Sequence, residues 1–308
     1  MALTIFGQAL FFAIATAMGL WMQGYVKLQI AVHGPSILIP ANRTEPAEFY
    51  SEKFGEHAYV TANVHPGHKR EVVLVGHDWG GMISMCFATL HEKMIDKMVL
   101  INSMHPKAFM KQLFRSPTQM RMSWYQLPFR RPVVPEQYLI LKDFAFFDDV
   151  HKGFTKEEEY AHKYMYSRPG ALTGTINYYR AFNNDSDQLN KIPYRKINVT
   201  TLMLWGKKDE FITAPVARYN QEWLSKSLVV YYEGAGHFAQ RECPTHVTER
   251  IREFASTGSV NVAEDTRWSW WKPATPMCSE SKEAGAGWTA QSLPFIPDGA
   301  ELPKTMTA

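Results

Sequence analysis

The chain has 308 residues, 45% of them hydrophobic and 20% charged, and a formal net charge of +3. That balance suits one large globular domain or two smaller ones. It is too mildly basic for a nucleic-acid binder, and no Lys/Arg run or basic patch with interleaved aromatics appears. The first segment is apolar. Ala2 to Met22 carries no charge, and Gln8 is its one strongly polar residue. About 20 such residues cross a bilayer core as a helix. Trp21 and Tyr25 stand where interfacial aromatics would sit, and Lys27 follows. Ala15-Thr16-Ala17 resembles a signal-peptide cleavage site, but the apolar run continues past it and no basic segment precedes it. The expectation is an uncleaved single-pass membrane anchor over residues 1–24, touching membrane lipid, with its orientation left open by the few flanking charges.

Residues 28–70 are weakly patterned. Ile30 to Pro40 has a strand-like flavour around His33-Gly34-Pro35, and polar residues follow. The stretch from Lys27 to Glu71 has room for little more than one strand–helix–strand unit of about 30 residues. Then comes Val72-Val73-Leu74-Val75-Gly76-His77-Asp78-Trp79-Gly80-Gly81, with a helical segment to His91. A strand over 71–76, a sharp turn and a helix over 81–91 form the context of a nucleophile elbow, with Asp78 in the serine position. Gly76 and Gly80 are expected to permit the tight turn. A serine attacking a saturated carbon leaves an ether, which water does not readily cleave. An aspartate leaves an ester, which water does cleave. The elbow therefore points to alkyl transfer from an epoxide or alkyl halide, not to acyl transfer.

Lys97 to Asn102 reads as the next strand, which completes an α/β pattern. From 102 to 200 the chain is aromatic-rich and Pro-punctuated and lacks strand alternation. It reads as short helices capping the sheet's carboxyl edge, where open α/β sheets bind ligands. The pattern resumes with a strand at 200–205, a helix at 214–225, a strand at 228–232 and a helix at 245–254. From Ser256 onward the composition reads as a disordered or loosely docked tail, with Trp268, Trp270 and Trp271 a possible membrane-interface or partner contact. The expected division is an anchor (1–24), hydrolase core (25–105 and 200–256), helical cap (106–199) and tail (257–308). Cys86, Cys243 and Cys278 show no Cys-x-x-Cys pair or metal-ligand spacing, so neither a disulfide framework nor a zinc site is expected, and Cys86 reads as a core residue.

Five further segments follow the elbow in order: Ser123-Trp124-Tyr125-Gln126, Arg168-Pro169-Gly170-Ala171-Leu172-Thr173-Gly174, Asn177-Tyr178-Tyr179-Arg180, Leu204-Trp205-Gly206-Lys207-Lys208-Asp209 and Gly236-His237. With the elbow, the set resembles the epoxide hydrolases of the α/β-hydrolase fold, especially the membrane-anchored animal ones, from Glu71 to Phe254. The resemblance implies a mostly parallel sheet with an inserted helical cap. It also implies an incomplete N-terminal part of the sheet. Of the family's His-Gly-aromatic-Pro and Asp-x-Arg-Gly-Tyr motifs only His33-Gly34-Pro35 is found, and a deleted segment is the simplest account. No cofactor, metal, nucleic acid or obligate protein partner is implied. The implied substrate is a small apolar epoxide, a class that includes lipid epoxides, and the implied location is the endoplasmic reticulum membrane.

The resemblance also assigns residues. Asp78, Asp209 and His237 follow the order nucleophile, acid, histidine, each after a strand of one sheet. His237 would activate water against the alkyl-enzyme ester, and Asp209 would orient its imidazole. Tyr125 and Tyr179 match the family's two epoxide-binding tyrosines; a phenol with a pKa near 10 stays protonated at neutral pH yet donates. Tyr179 is chosen over Tyr178 because it precedes Arg180. Trp79 would line the pocket and offer an oxyanion N–H, Gln126 would contact substrate, and His33 and Gly34 would supply the second donor. Two alternatives stay open: a haloalkane or haloacid dehalogenase on the same elbow, and a catalytically impaired, membrane-anchored relic. Asn42, Asn184 and Asn198 stand in Asn-x-Ser/Thr, so glycan there would place the domain in the lumen.

Overall fold

The computed structural model describes residues 2–38, 72–184, 191–261 and 278–284. Its elements in chain order are α1 (Ala2–His33), β1 (Val72–His77), α2 (Trp79–His91), β2 (Ile95–Ile101), α3 (Pro106–Arg115), α4 (Pro117–Met122), α5 (Val134–Val150), α6 (Lys156–Ser167), α7 (Ala171–Asn184), β3 (Thr200–Gly206), α8 (Pro215–Gln221), β4 (Ser227–Tyr232), α9 (Ala239–Glu242), α10 (Pro244–Thr257) and β5 (Glu280–Ala284). They fall into two compact units.

The first unit holds the sheet: Val73–His105, Lys196–Asp209 and the described part of Ala217–Ala308. Its strand order is β1-β2-β3-β4-β5. β2, β3 and β4 run parallel, with Leu202 in register with Val99 on one side and Leu228 on the other. β3 is buried along nearly its whole length and β4 along all of it. Strands covered on both faces need no alternation, so their sequences read as unbroken apolar runs. Val99, Ile101, Leu202, Leu204, Val230 and Tyr232 form one core with Val247 and Phe254 of α10.

Beyond β4 the structure departs from the sequence expectation. β5 pairs antiparallel with β4, placing Lys282 opposite Val230 and Glu280 opposite Tyr232. Glu-Ser-Lys-Glu-Ala has no apolar alternation, and long-range links hold it. Cys278, two residues before the strand, forms a disulfide with Cys243 at the start of α10, so the expectation of no disulfide is corrected. The Glu280 carboxylate meets the Arg250 guanidinium at 3.0 Å. Part of the expected disordered tail is therefore sheet. Trp268, Trp270 and Trp271 lie outside the described residues, as does Asn42. Cys86 takes no part in the disulfide and is half-buried rather than deep in the core.

The second unit holds α1 with Pro106–Arg195 and Glu210–Val216. Its elements are helices and 3-10 turns. α6 opens on a capping box, in which the Thr155 hydroxyl accepts from the Glu158 N–H and the Glu158 carboxylate from the Thr155 N–H. The core is aromatic and aliphatic: Phe129, Leu139, Phe144, Phe147, Leu172 and Ile176, joined by Met22 of α1.

That last contact bears on the N-terminal helix. Among the described residues no helix is long and apolar enough to cross a membrane, and the expected anchor is without support there. Met22 and Val26 are buried, and Trp21 and Tyr25 stack on each other and meet the edge of Tyr138 on α5. Tyr25 is half-buried, whereas Trp21 touches the same ring and stays 54% exposed. The strand-like reading of residues 30–40 is corrected. α1 continues to His33 and stops at Gly34 (φ 79°), and a 3-10 turn follows over Pro35–Leu38. Gly then Pro is a helix stop: glycine accepts the left-handed conformation, and proline cannot continue the helix. Met22→Ala should cost about 2–5 kcal/mol, the usual range for emptying a buried methionine site, and lower the thermal midpoint. An unchanged midpoint would show that α1 does not stabilise this unit.

Candidate active site

Within the sheet unit, three strand ends converge. Asp78 follows β1, and its backbone sits at φ 50°, ψ −119°, a region costing about 1–3 kcal/mol for a residue with a Cβ. Neighbours hold it there. Its N–H donates to the Ile101 carbonyl at 3.2 Å. Its carbonyl accepts from the N–H groups of Gly81 and Met82, each at 3.1 Å, and from the Ser103 hydroxyl at 2.7 Å. The turn is tight enough that a Cβ on Gly76 would lie 2.6 Å from the Ser84 hydroxyl oxygen and 2.7 Å from the Gly80 carbonyl. Gly80 itself faces open space, so the steric demand expected at both glycines falls on Gly76. Trp79 is the first residue of α2, which places its backbone N–H at a helix N-terminus.

Asp209 lies three residues beyond β3, its side chain fully buried, and His237 lies in the loop after β4. His237 Nδ1 donates to Asp209 Oδ2 at 2.9 Å, and His237 Nε2 is 3.6 Å from Asp78 Oδ1. The structure thus brings the three sequence-selected residues together in one unit, the imidazole between two carboxylates. Gly206 makes the approach possible, because a Cβ there would run into the backbone carbonyls of Ala235 and Gly236. Burial penalises the imidazolium, but the charge and hydrogen bond of Asp209, helped by Asp78 and Glu242, outweigh it and hold the His237 pKa above its ordinary value.

Several supporting residues were not picked out in the sequence. His77 Nε2 donates to the His237 carbonyl at 2.9 Å, with the rings 4.7 Å apart. Burial, then the neighbouring His237, push the His77 pKa down, so it braces the loop as a neutral ring. The Glu242 carboxylate accepts the Gly236 N–H at 2.8 Å, fixing the residue before the histidine. Asn102, at the end of β2, donates to Asp209 Oδ2 at 2.7 Å. The sequence signal available for it was modest: a polar residue closing a buried parallel strand at the sheet edge that carries the site.

The other sequence-selected residues lie in the helical unit. Tyr125 and Tyr179 meet edge to face with centroids 5.6 Å apart, and both pack against Phe129. Phe211 meets Tyr125 at 6.1 Å. Tyr178 instead is 48% exposed, which separates it from its neighbour. Arg180 pairs with Glu136 through both guanidinium nitrogens, at 2.8 and 2.9 Å, anchoring α7 to α5 beside Tyr179. Gln126 is half-buried at the end of a 3-10 turn. His33 and Gly34 end α1, and the Gly34 N–H is taken by the Ile30 carbonyl at 2.8 Å. It is committed to the helix end, which corrects the expectation of an oxyanion loop there.

Comparison with known proteins identifies the fold family. A family model described as the alpha/beta hydrolase fold matches residues 58–244. Epoxide hydrolase 3 of Xenopus tropicalis is 32% identical over 194 residues, covering 59% of this chain and 52% of that protein. Epoxide hydrolase 4 of Homo sapiens is 32% identical over 195 residues, with 59% and 52% covered. The chain thus spans about half the length of these curated relatives. Among solved structures, an inhibitor complex of a Bacillus megaterium epoxide hydrolase gives a TM-score of 0.53 at 22% identity, covering 61% of this chain and 70% of that one. At that identity the likeness shows the shared fold.

Proposed function

Because the chain belongs to the alpha/beta hydrolase fold family, we propose that it opens an apolar epoxide to a vicinal diol through an ester formed on Asp78. The observation that carries this reading is an aspartate, not a serine, at the strained elbow, with His237 Nε2 3.6 Å from its carboxylate. An Asp78 carboxylate oxygen attacks a ring carbon, that carbon's bond to the epoxide oxygen breaks, and the oxygen takes a proton from Tyr125 or Tyr179. His237 then removes a proton from water, whose oxygen attacks the carboxyl carbon of Asp78. The ester C–O bond breaks and the departing alkoxide takes the proton held by the His237 imidazolium; the Asp78 carboxyl ionises, its proton returns to the tyrosine phenolate, and the diol leaves with all three groups restored. Asp209 keeps the imidazole oriented and balances its transient charge. The Trp79 N–H would steady the developing oxyanion on Asp78. The aromatic set of Tyr125, Phe129, Tyr179 and Phe211 favours an apolar substrate, with lipid epoxides within that class.

A haloalkane dehalogenase uses the same elbow, and the two activities separate by product. The purified chain is expected to convert styrene oxide to its diol and to release no halide from 1-chlorobutane. Halide without diol would move the assignment to the dehalogenase. Neither product would defeat the proposal that this chain catalyses the reaction.

A further inference from the structure

The carboxylate of Asp209 carries a second donor besides the histidine. His237 Nδ1 and Asn102 Nδ2 reach the same oxygen, Oδ2, at 2.9 and 2.7 Å. Asn102 is fully buried and sits at φ 38° at the end of β2, the strand between those that carry Asp78 and Asp209. Chemistry decides how its amide is oriented. The Gly206 N–H, 3.0 Å away, can only donate, so it selects Oδ1. An ionised carboxylate can only accept, so it selects the NH2 group. Nδ2 also lies 3.3 Å from the Gly206 carbonyl, and the Asn102 N–H donates to the Leu204 carbonyl at 3.0 Å. The amide is therefore fixed to the end of β3 at several points, with one N–H left to aim at the acid.

We propose that Asn102 is a positioning residue for ester hydrolysis: it holds Asp209 Oδ2 in line with His237 Nδ1, so that Nε2 is presented to the attacking water. The inference rests on the reading of Asp78 as the esterified nucleophile. Asn102 makes no demand on the first half-reaction, because attack by Asp78 needs no base. It acts on the second, where an imidazolium forms. The charged and titratable groups around that imidazole are Asp209, Asp78, Glu242 and His77. Asp209 is the one among them that Asn102 holds. Its geometry also separates positioning from folding. Glycine at 102 accepts the positive φ but removes all three side-chain bonds. Aspartate keeps the acceptor for the Gly206 N–H and loses the permanent donor. In Asn102→Asp the donor returns only while the two adjacent carboxyls share a proton, a state that close like charges favour up to a raised pKa.

The test mixes the full chain with excess styrene oxide and reads two rates, growth of the Asp78 adduct by mass and its decay to diol. Asn102→Gly should alkylate near the wild-type rate and lose about 10- to 100-fold in decay, the worth of one hydrogen bond to a charged group. Asn102→Asp should show an alkaline fall-off in decay that the wild type lacks. Alkylation and decay falling together, or wild-type decay and pH profile in both variants, would overturn the proposal. If the wild-type chain forms no adduct, the epoxide reading fails, and Asn102 is judged without turnover. In 15N-histidine NMR of the full chain, the low-field Nδ1 proton of His237 should be present in the wild type and lost in Asn102→Gly. Its persistence there would overturn the proposal.

Discussion

His237→Gln is expected to make the chain a single-use alkylating protein: one styrene oxide is taken up per molecule, the adduct mass maps to the peptide holding Asp78, and diol release falls by about 10²–10⁴-fold, the usual contribution of a positioned base. The split follows from the geometry. Asp78 is already a carboxylate and needs no base to attack, whereas the ester it forms is cleaved only by activated water. The same argument sets a pH dependence. Despite the penalty of burial, Asp209 and Asp78 raise the His237 pKa above 6.5. The base is competent only when neutral, so ester decay should fall as pH drops through the imidazole's pKa; with the Asp78 charge lost in the ester, Asp209 is left to hold that pKa up against burial, and the limb should lie below the pH at which the free enzyme's His237 titrates. Alkylation should not share this limb. A stoichiometric adduct that still decays at the wild-type rate in His237→Gln would remove histidine from the mechanism.

The second large effect is expected from the tyrosines. Tyr125→Phe with Tyr179→Phe should slow adduct formation by about 10²–10⁴-fold, because the epoxide oxygen would leave as an alkoxide without a proton donor. Each single variant should lose less, since the other phenol stays in place beside it, 5.6 Å away between ring centres. The packing with Phe129 is kept in both, so thermal stability should hold and the loss would be chemical. Tyr178→Phe is the matched control on the exposed face of the same helix and should change neither rate. Equal losses at 178 and 179 would show that the assignment rested on a false alignment of neighbours.

What could be read in the sequence was whatever lies in contiguous residues. β3 and β4 are apolar runs because both faces are covered, and Asp78, Asp209 and His237 each follow such a run within a few residues. Their convergence follows from parallel strands ending on one side. β5 could not be read, because Glu280–Ala284 is held by backbone pairing, by Arg250 and by the Cys243–Cys278 bond, which closes a separation of 35 residues. None of these leaves an apolar period. α1 was ambiguous for a different reason. An apolar helix bearing Trp21 and Tyr25 looks the same whether lipid or protein covers it, and the residues that cover Met22 lie more than a hundred positions further on. His33-Gly34-Pro35 looked like a motif fragment, yet Gly-Pro after a helical run is also a stop signal, and the fold uses it as one. Asn102 was read only as a strand end. Its partner is 107 positions away, and one sequence carries no trace of that pairing.

The central claim is that an oxygen of Asp78 itself ends in the product. One turnover of styrene oxide by excess full-length chain in 18O-water measures this directly. The account predicts unlabelled diol from the first turnover and one 18O in the carboxyl group of Asp78, located by mass on its peptide. If the label appears in the diol at once and Asp78 stays unlabelled, water attacks the epoxide directly, and the covalent role assigned to Asp78 is contradicted.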